Sequence, residues 1–277
     1  MYPAFNGSAI GVSLPFEEAV EQAAHHGFEG IYLDLGYLSN TGPETVVQML
    51  SERSLRTAGW YLPFGLTTGE AAFESGLQSL PATAEACARA GAARCSTWIP
   101  PGSDELTRDA MFEQVRDRAR AVAEVLAEHD TRLGLEFIGP KTSRARRRHE
   151  FIHTMDGMIE LCEAVGTGNV GLLLDCWHLY TSGGSMDDVL KLSDGQLVDV
   201  HINDAPEGVP LEEHVDNVRR LPGETGVIDC ARFLECLDQI GYSGPVMAEP
   251  LSRPADAQTD QEAIRVAKEA IDSVWPG

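Results

Sequence analysis

No CxxC pair occurs in this sequence. Its six cysteines (Cys87, Cys95, Cys162, Cys176, Cys230 and Cys236) have no metal-type spacing, and several fall within helical or strand patterns, where cysteine behaves as a small apolar group. No apolar run approaches the roughly 18 to 20 residues that a membrane span needs. The opening stretch MYPAFNGSAIG has no charged region followed by an apolar one, so no signal peptide is read and a reducing cytoplasm is expected. A basic balance is missing too. The formal net charge is -22 over 277 residues, which argues against a nucleic-acid partner, because binding phosphates needs a basic surface that displaces counterions. One local basic patch interrupts the acid: Lys141, Arg144, Arg146, Arg147 and Arg148. It reads chiefly as a solvated loop, although such a patch could offset the repulsion of a phosphorylated or acidic substrate. No linker rich in Pro, Gly or Ser divides the chain, so one domain, 1–277, is expected.

What is present is a rhythm. Short apolar runs alternate with longer amphipathic stretches. The runs lie near FNGSAIG, GIYLDL, LRTAGWYLPF, ARCSTWIP, RLGLEFI, NVGLLLD, LVDVHIN and PVMAEP. Helical patterns such as PFEEAVEQAAHHG, FEQVRDRARAVAEVLAEH and CARFLECLDQIG separate them. Gly27, Gly91, Gly166 and Gly241 follow such patterns, as expected where a helix ends in the left-handed conformation. Eight strands each followed by a helix predict a closed α/β structure, a (β/α)8 TIM barrel. An open doubly wound sheet would ordinarily carry a Gly-rich phosphate turn after its first strand, and FNGSAIG is not GxGxxG.

In such a barrel, functional side chains sit at the C-terminal ends of the strands. GLEF ends in Glu136, GLLLD in Asp175, VDVH in His201 and VMAE in Glu249. A carboxylate closing an apolar run is costly unless it is paired or bound to metal. Any one of them could be a helix cap or a surface group. Four, on successive strands of one half, predict a site for a single divalent ion held by Glu136, Asp175, His201 and Glu249. Three carboxylates and an imidazole suit Mn²⁺, Mg²⁺, Co²⁺ or Zn²⁺, and the ligand set alone does not choose among them; Mn²⁺ is the expected ion. His178, three residues after Asp175 in DCWH, can reach a group beside that ligand. Trp98 and Trp177 also follow strands, where they could wall a pocket or simply pack.

The segments EFIG, LLLDCWH, HINDA, RRLPGETGVID and IGYSGPVMAEP together resemble the sugar phosphate isomerase/epimerase superfamily of xylose isomerase-like barrels, and within it the 2-keto-myo-inositol (inosose) isomerases. The likeness lies in the second half of the chain; the first half matches only in strand–helix rhythm. The resemblance implies the same four metal ligands and makes His178 and Arg219 substrate contacts, with the adjacent Arg220 as the alternative. It implies a metal-dependent isomerase or epimerase of a small polyhydroxy ketone. Glu136 and Glu249 would be its acid and base, moving a proton through a metal-stabilised enediolate. A lyase on the same site, acting as an inosose or 3-dehydroshikimate dehydratase does or opening a 3-keto glycoside, is the alternative. A non-catalytic sugar-binding subunit would need no such pair of glutamates. Self-association as a homo-oligomer stays open. Two departures stand out. Thr142 lies six residues after Glu136, where ketohexose 3-epimerases of this resemblance carry a glutamate, and the loop from His201 to Arg219 is long.

Overall fold

The computed structural model describes residues 1–277 and shows a ring of parallel strands. We number the barrel strands β1 (Tyr2–Phe5), β2 (Gly30–Ile31), β3 (in two pieces, Arg56–Thr57 and Trp60–Tyr61), β4 (Arg94–Ile99), β5 (Arg132–Phe137), β6 (Val170–Asp175), β7 (Leu197–Ile202) and β8 (Pro245–Ala248). Each pairs in parallel with its neighbours, and β1 lies between β8 and β2. The ring closes at β3, whose first piece pairs with β2 and whose second pairs with β4.

Helices cover the outside, and their ends follow local chemistry. Thr107 caps Arg108–Ala127 by accepting the Ala110 N–H, and Thr154 does the same for Met155–Val165. Thr259 and Glu262 form a reciprocal capping box at the start of Asp260–Val274. Gly27, Gly91, Gly166 and Gly241 stand at φ of 79°, 81°, 77° and 76°, the left-handed helix endings expected of them.

A cluster of 67 buried apolar residues fills the layer between strands and helices. Burying that much apolar surface is the main stabilising contribution. A second cluster of six, including Tyr2, Ala4, Tyr32 and Met247, lies inside the ring. The split follows the period of two along a strand: on β1, Ala4 faces inward while Phe5 joins the outer core.

Two expectations need correction. The first strand is YPAF, Tyr2–Phe5, and not FNGSAIG. Beyond Phe5 the chain turns into a short 3-10 helix, Ser8–Ile10, ended by Gly11 at φ 66° with its N–H on the Ser8 carbonyl. The strand–helix alternation also breaks late in the chain. After β6 come the short helix Cys176–Thr181 and two 3-10 segments, Met186–Lys191 and Asp194–Gln196. After β7 a long loop, with one 3-10 turn at Leu211–Glu213, runs to the helix Cys230–Gln239.

Candidate metal centre and active site

Glu136, Asp175 and His201 lie at or next to the ends of β5, β6 and β7, and Glu249 directly follows β8. Parallel register brings them level: His201 is alongside Asp175 on one side and Met247 on the other, two residues before Glu249. Leu135 and Phe137 pack into the outer core, so alternation turns Glu136 inward. One ligand-type atom from each of the four lies within 4.8 Å of the others.

Hydrogen bonding differs among the four in a way that bears on metal binding. Asp175 is a helix cap as well as a cluster member. Its Oδ1 accepts from Trp177 N at 2.8 Å and Asn203 Nδ2 at 3.0 Å, and its Oδ2 from Arg219 Nη1 at 2.8 Å. Glu136 Oε1 and His201 Nδ1, in contrast, are buried without any hydrogen-bond partner. His201 Nδ1 is 3.3 Å from Glu249 Oε2 and 3.9 Å from Glu136 Oε1, close in charge but not in hydrogen-bond geometry. Buried polar atoms are almost always satisfied, and two orphaned donor atoms facing the same carboxylates are what a cation's ligands look like. The donor set fits a divalent ion.

Electrostatics separate the two glutamates. Burial pushes the Glu136 carboxyl well above the usual range, and the nearby Glu249 carboxylate adds to the rise. Burial acts the same way on Glu249, but His201 and Arg219 outweigh it and hold its pKa at about 2. For His201, burial disfavours the cation, yet Glu249, Asp199 and Glu136 together raise its pKa to about 10. Its other nitrogen, Nε2, is 3.4 Å from the Tyr61 hydroxyl.

His178 is buried beside this cluster. Its Nδ1 accepts the Gly139 N–H at 3.1 Å, and burial, followed by repulsion from Arg219, lowers its pKa to about 3. The ring is therefore neutral, with its proton on Nε2. That nitrogen lies 3.7 Å from Glu136 Oε1 and 3.8 Å from Asp216 Oδ1. It is 3.3 Å from Arg219 Nη2, but both atoms are donors, so this is a contact and not a bond. Its N–H is free to reach an oxygen in the cavity.

The two arginines before LPG part company. Arg219 is buried, with Nη1 on Asp175 and, at 3.0 Å, on Glu249 Oε2, and Nη2 at 2.9 Å from Asp216 Oδ1. Its guanidinium also lies over the Trp177 ring. Arg220 turns away to Glu224. The tryptophans divide similarly: Trp177 is wholly buried, whereas Trp98, paired in register with Glu136, is 58% exposed.

Three polar groups of the site were not anticipated. Asn203 donates to both oxygens of Asp175 and accepts the Glu249 N–H at 2.9 Å; its position two residues beyond His201 on the same strand face was a usable signal. Tyr61 had no such marker. Asp216 holds Arg219 and the Trp177 indole N–H from an irregular loop, where spacing carries no information. A cavity of about 820 Å³ opens over the cluster, with Glu136, His178, Arg219 and Glu249 at its base and Trp98 and Arg146 among its walls.

The chain belongs to the xylose isomerase-like TIM barrel family, which it matches over residues 20–271. It is 33% identical over 150 residues to the inosose isomerase of Halalkalibacterium halodurans, a match covering 53% of this chain and 49% of that one. The chain thus spans about half the length of that curated relative. A solved xylose isomerase domain protein from Alicyclobacillus acidocaldarius subsp. acidocaldarius is 30% identical with a TM-score of 0.88, covering 99% of this chain and 98% of that one. An IolI protein solved with a bound zinc atom has a TM-score of 0.81 at 22% identity, covering 99% and 98%; at that identity the likeness is one of fold. No helix of the chain is long and apolar enough to cross a membrane.

Proposed function

We propose that this chain is a divalent-metal-dependent isomerase or epimerase acting on a small polyhydroxy ketone of the keto-inositol or ketose kind. The observation that carries the reading is the convergence of Glu136, Asp175, His201 and Glu249 within 4.8 Å, with Glu136 Oε1 and His201 Nδ1 buried and unpaired. The similarity to inosose isomerases and to a zinc-holding structure supports it. These four side chains would hold one ion, with Mn²⁺ our expectation, and that ion would supply a Lewis acid for the carbonyl oxygen.

The protein's own groups then divide the proton transfers. Glu249, kept ionised by His201 and Arg219, is suited to take a proton from the carbon beside the carbonyl. Glu136, on the other side of the reacting carbon, would return one. His178 Nε2–H, and the Nη2 N–H of Arg219 not committed to Asp216, would donate to substrate oxygens that gain charge. Asp216 and Trp177 fix the plane of the guanidinium, and Asn203 fixes Asp175 against Glu249.

The test is exchange. The Mn²⁺-loaded protein is incubated in D₂O with 2-keto-myo-inositol, a set of ketoses and a 3-keto-glycoside. Deuterium should appear at the carbon alpha to the carbonyl in at least one product of unchanged mass apart from the label. Loss of water or release of an aglycone would replace the isomerase reading with a lyase. No exchange into any of these compounds would overturn both.

A further inference from the structure

We propose that Asp199, on the inner wall of the barrel beneath the cluster, is a positioning residue for the metal site. Its carboxylate keeps the His201 proton on Nε2, so that the Nδ1 lone pair stays turned toward the ion. This rests on the metal-dependent reading above and adds to it the group that acts on the ion through His201.

β7 carries three polar side chains on one face. Val200 and Ile202 pack into the outer core, so alternation turns Asp199, His201 and Asn203 into the ring. His201 is a ligand-type residue and Asn203 braces Asp175, but Asp199 is so far without a part. It is only 1% exposed, and burying a carboxylate is costly unless it is paired. Three donors meet it: the Tyr32 hydroxyl and, at 2.9 Å, the Val200 N–H on Oδ1, and the Ser96 hydroxyl on Oδ2 at 3.1 Å. A carboxylate that only accepts is an ionised one, yet no lysine or arginine pairs with it. What faces it instead is the back of the His201 ring, with Nε2 at 3.9 Å from Oδ2.

The two nitrogens of that ring look onto different surroundings. Nδ1 is unpaired and faces Glu249 Oε2 at 3.3 Å and Glu136 Oε1 at 3.9 Å. Nε2 faces Asp199 and the Tyr61 hydroxyl, the latter at 3.4 Å. Tyr61 stacks on Tyr32, ring centroids 5.5 Å apart at 11°, so one tyrosine pair walls both Asp199 and Nε2. At 3.9 Å Asp199 makes no hydrogen bond to the ring, and it acts by charge, which carries further where water is excluded. A negative charge behind the ring favours a proton on the nitrogen nearest to it. The neutral imidazole then has its lone pair on Nδ1, the nitrogen among the ligand carboxylates. A carboxylate behind a ligating histidine both fixes the ring and raises its basicity toward the ion.

The test reads the metal site and not turnover. Full-length protein is loaded with Co²⁺ at fixed pH, and the dissociation constant is measured by competition with a chelator. Co²⁺ also displaces the proton NMR signals of its ligands, which sets the exchangeable N–H of a single ligating histidine apart from all others. The unsubstituted chain should show one such signal, slow to exchange with solvent. In Asp199→Asn, which keeps the shape and removes the charge, the signal should move, and Kd for Co²⁺ should rise by about 10 to 100-fold. Tyr32→Phe takes a donor from Asp199 and leaves His201 and the ion untouched; it should move the same signal in the same direction, with a smaller loss of affinity. Undiminished affinity in Asp199→Asn, or a signal unmoved by either substitution, would overturn the proposal. So would a Co²⁺-loaded chain with no shifted N–H at all, and that measurement, with Tyr32→Phe, decides the matter if Asp199→Asn does not fold. Failure of the unsubstituted chain to bind Co²⁺ would overturn this inference and the metal reading together. Failure of the deuterium-exchange test leaves the comparison intact, so the two readings fall separately.

Discussion

Chelating the metal should weaken the protein in a pH-dependent way, and the direction follows from the groups at the cluster. Without an ion, protons hold His201 and Glu136 in place among the carboxylates. His201 rises from an ordinary 6.5 to about 10 in the folded chain. A group whose folded pKa is raised contributes stability that is complete below its unfolded value and lost as pH climbs toward the folded one. For His201 that window is 6.5 to about 10. Glu136, raised above an ordinary 4.5, has the same sign. Glu249 is lowered to about 2, so its contribution is present above 4.5 and is lost only as pH falls toward 2. In the neutral range nothing in the cluster opposes the trend. Each pH unit within the His201 window corresponds to about 1.4 kcal/mol, so the metal-free protein should lose about 2 kcal/mol between pH 6.5 and 8.

The loaded protein should behave oppositely. A cation binds only deprotonated ligands, so it displaces the His201 proton and, where present, the Glu136 proton. Apparent affinity should therefore rise by about one to two log units per pH unit from 6 to 8. At a free ion concentration about a thousand times Kd, binding adds about 4 kcal/mol. For a chain near this size, that corresponds to a rise in Tm of about 8 to 16 °C. Melting curves with EDTA and with Mn²⁺ from pH 6 to 9, beside calorimetric titrations in buffers of different ionisation enthalpy, measure both effects. Identical melting in EDTA and Mn²⁺ across that range, or an affinity indifferent to pH, would refute the reasoning.

Glu136→Gln and Glu249→Gln should each lower kcat by at least about 10²-fold while metal is still retained, since the amide keeps an oxygen but accepts no proton; near-native turnover in either variant removes that glutamate from proton transfer. His178→Ala and Arg219→Ala should keep metal and lose about 10² to 10³-fold in kcat/KM, whereas Asp175→Ala and His201→Ala should lose metal and activity together. Metal stoichiometry beside kinetics separates the two groups. Asn203→Ala strips a donor from Asp175 and an acceptor from the Glu249 N–H, both at least partly buried. It should cost about 1 to 3 kcal/mol in urea unfolding and weaken metal binding by about 10 to 100-fold; unchanged values in both would show that Asn203 does not support the cluster.

The cluster was legible in the sequence because a parallel barrel leaves little freedom at its strand ends. Once Glu136, Asp175, His201 and Glu249 are each recognised as closing an apolar run, register alone brings them level. Asn203 could have been read by the same alternation. Regular periodicity fails at β1, where the strand is only four residues long and Ala9 and Ile10, beyond the polar break Asn6–Ser8, belong to a 3-10 turn. It fails again where no strand or helix imposes a direction. Nothing local separates Arg219 from Arg220: in the folded chain one turns to Asp175 and Glu249 and the other to Glu224. Likewise Trp98 and Trp177 were both expected just after strands, but Trp98 lies within β4 and is exposed to solvent, whereas Trp177 sits in the first turn of the helix Cys176–Thr181 and is buried.

The long loop after His201 raises a physical question, since it delivers a buried arginine to the cluster from irregular backbone. Its precision comes from Asp204, two positions past the end of β7. The Asp204 backbone forms a reciprocal pair with Arg220, N–H to carbonyl at 2.9 and 2.8 Å. Its carboxylate accepts the N–H groups of Thr225, Gly226 and Ile228 at 2.7 to 2.9 Å. Four backbone donors on one buried carboxylate, counting its own neighbour Ala205, tie the two ends of the loop together and set Arg219 one residue from the tie. Asp216, within the loop, then turns the guanidinium toward Asp175. The acids of HINDA and VDNVRR thus convert a loop into a fixed support that holds the Arg219 guanidinium against the carboxylates of Asp175 and Glu249.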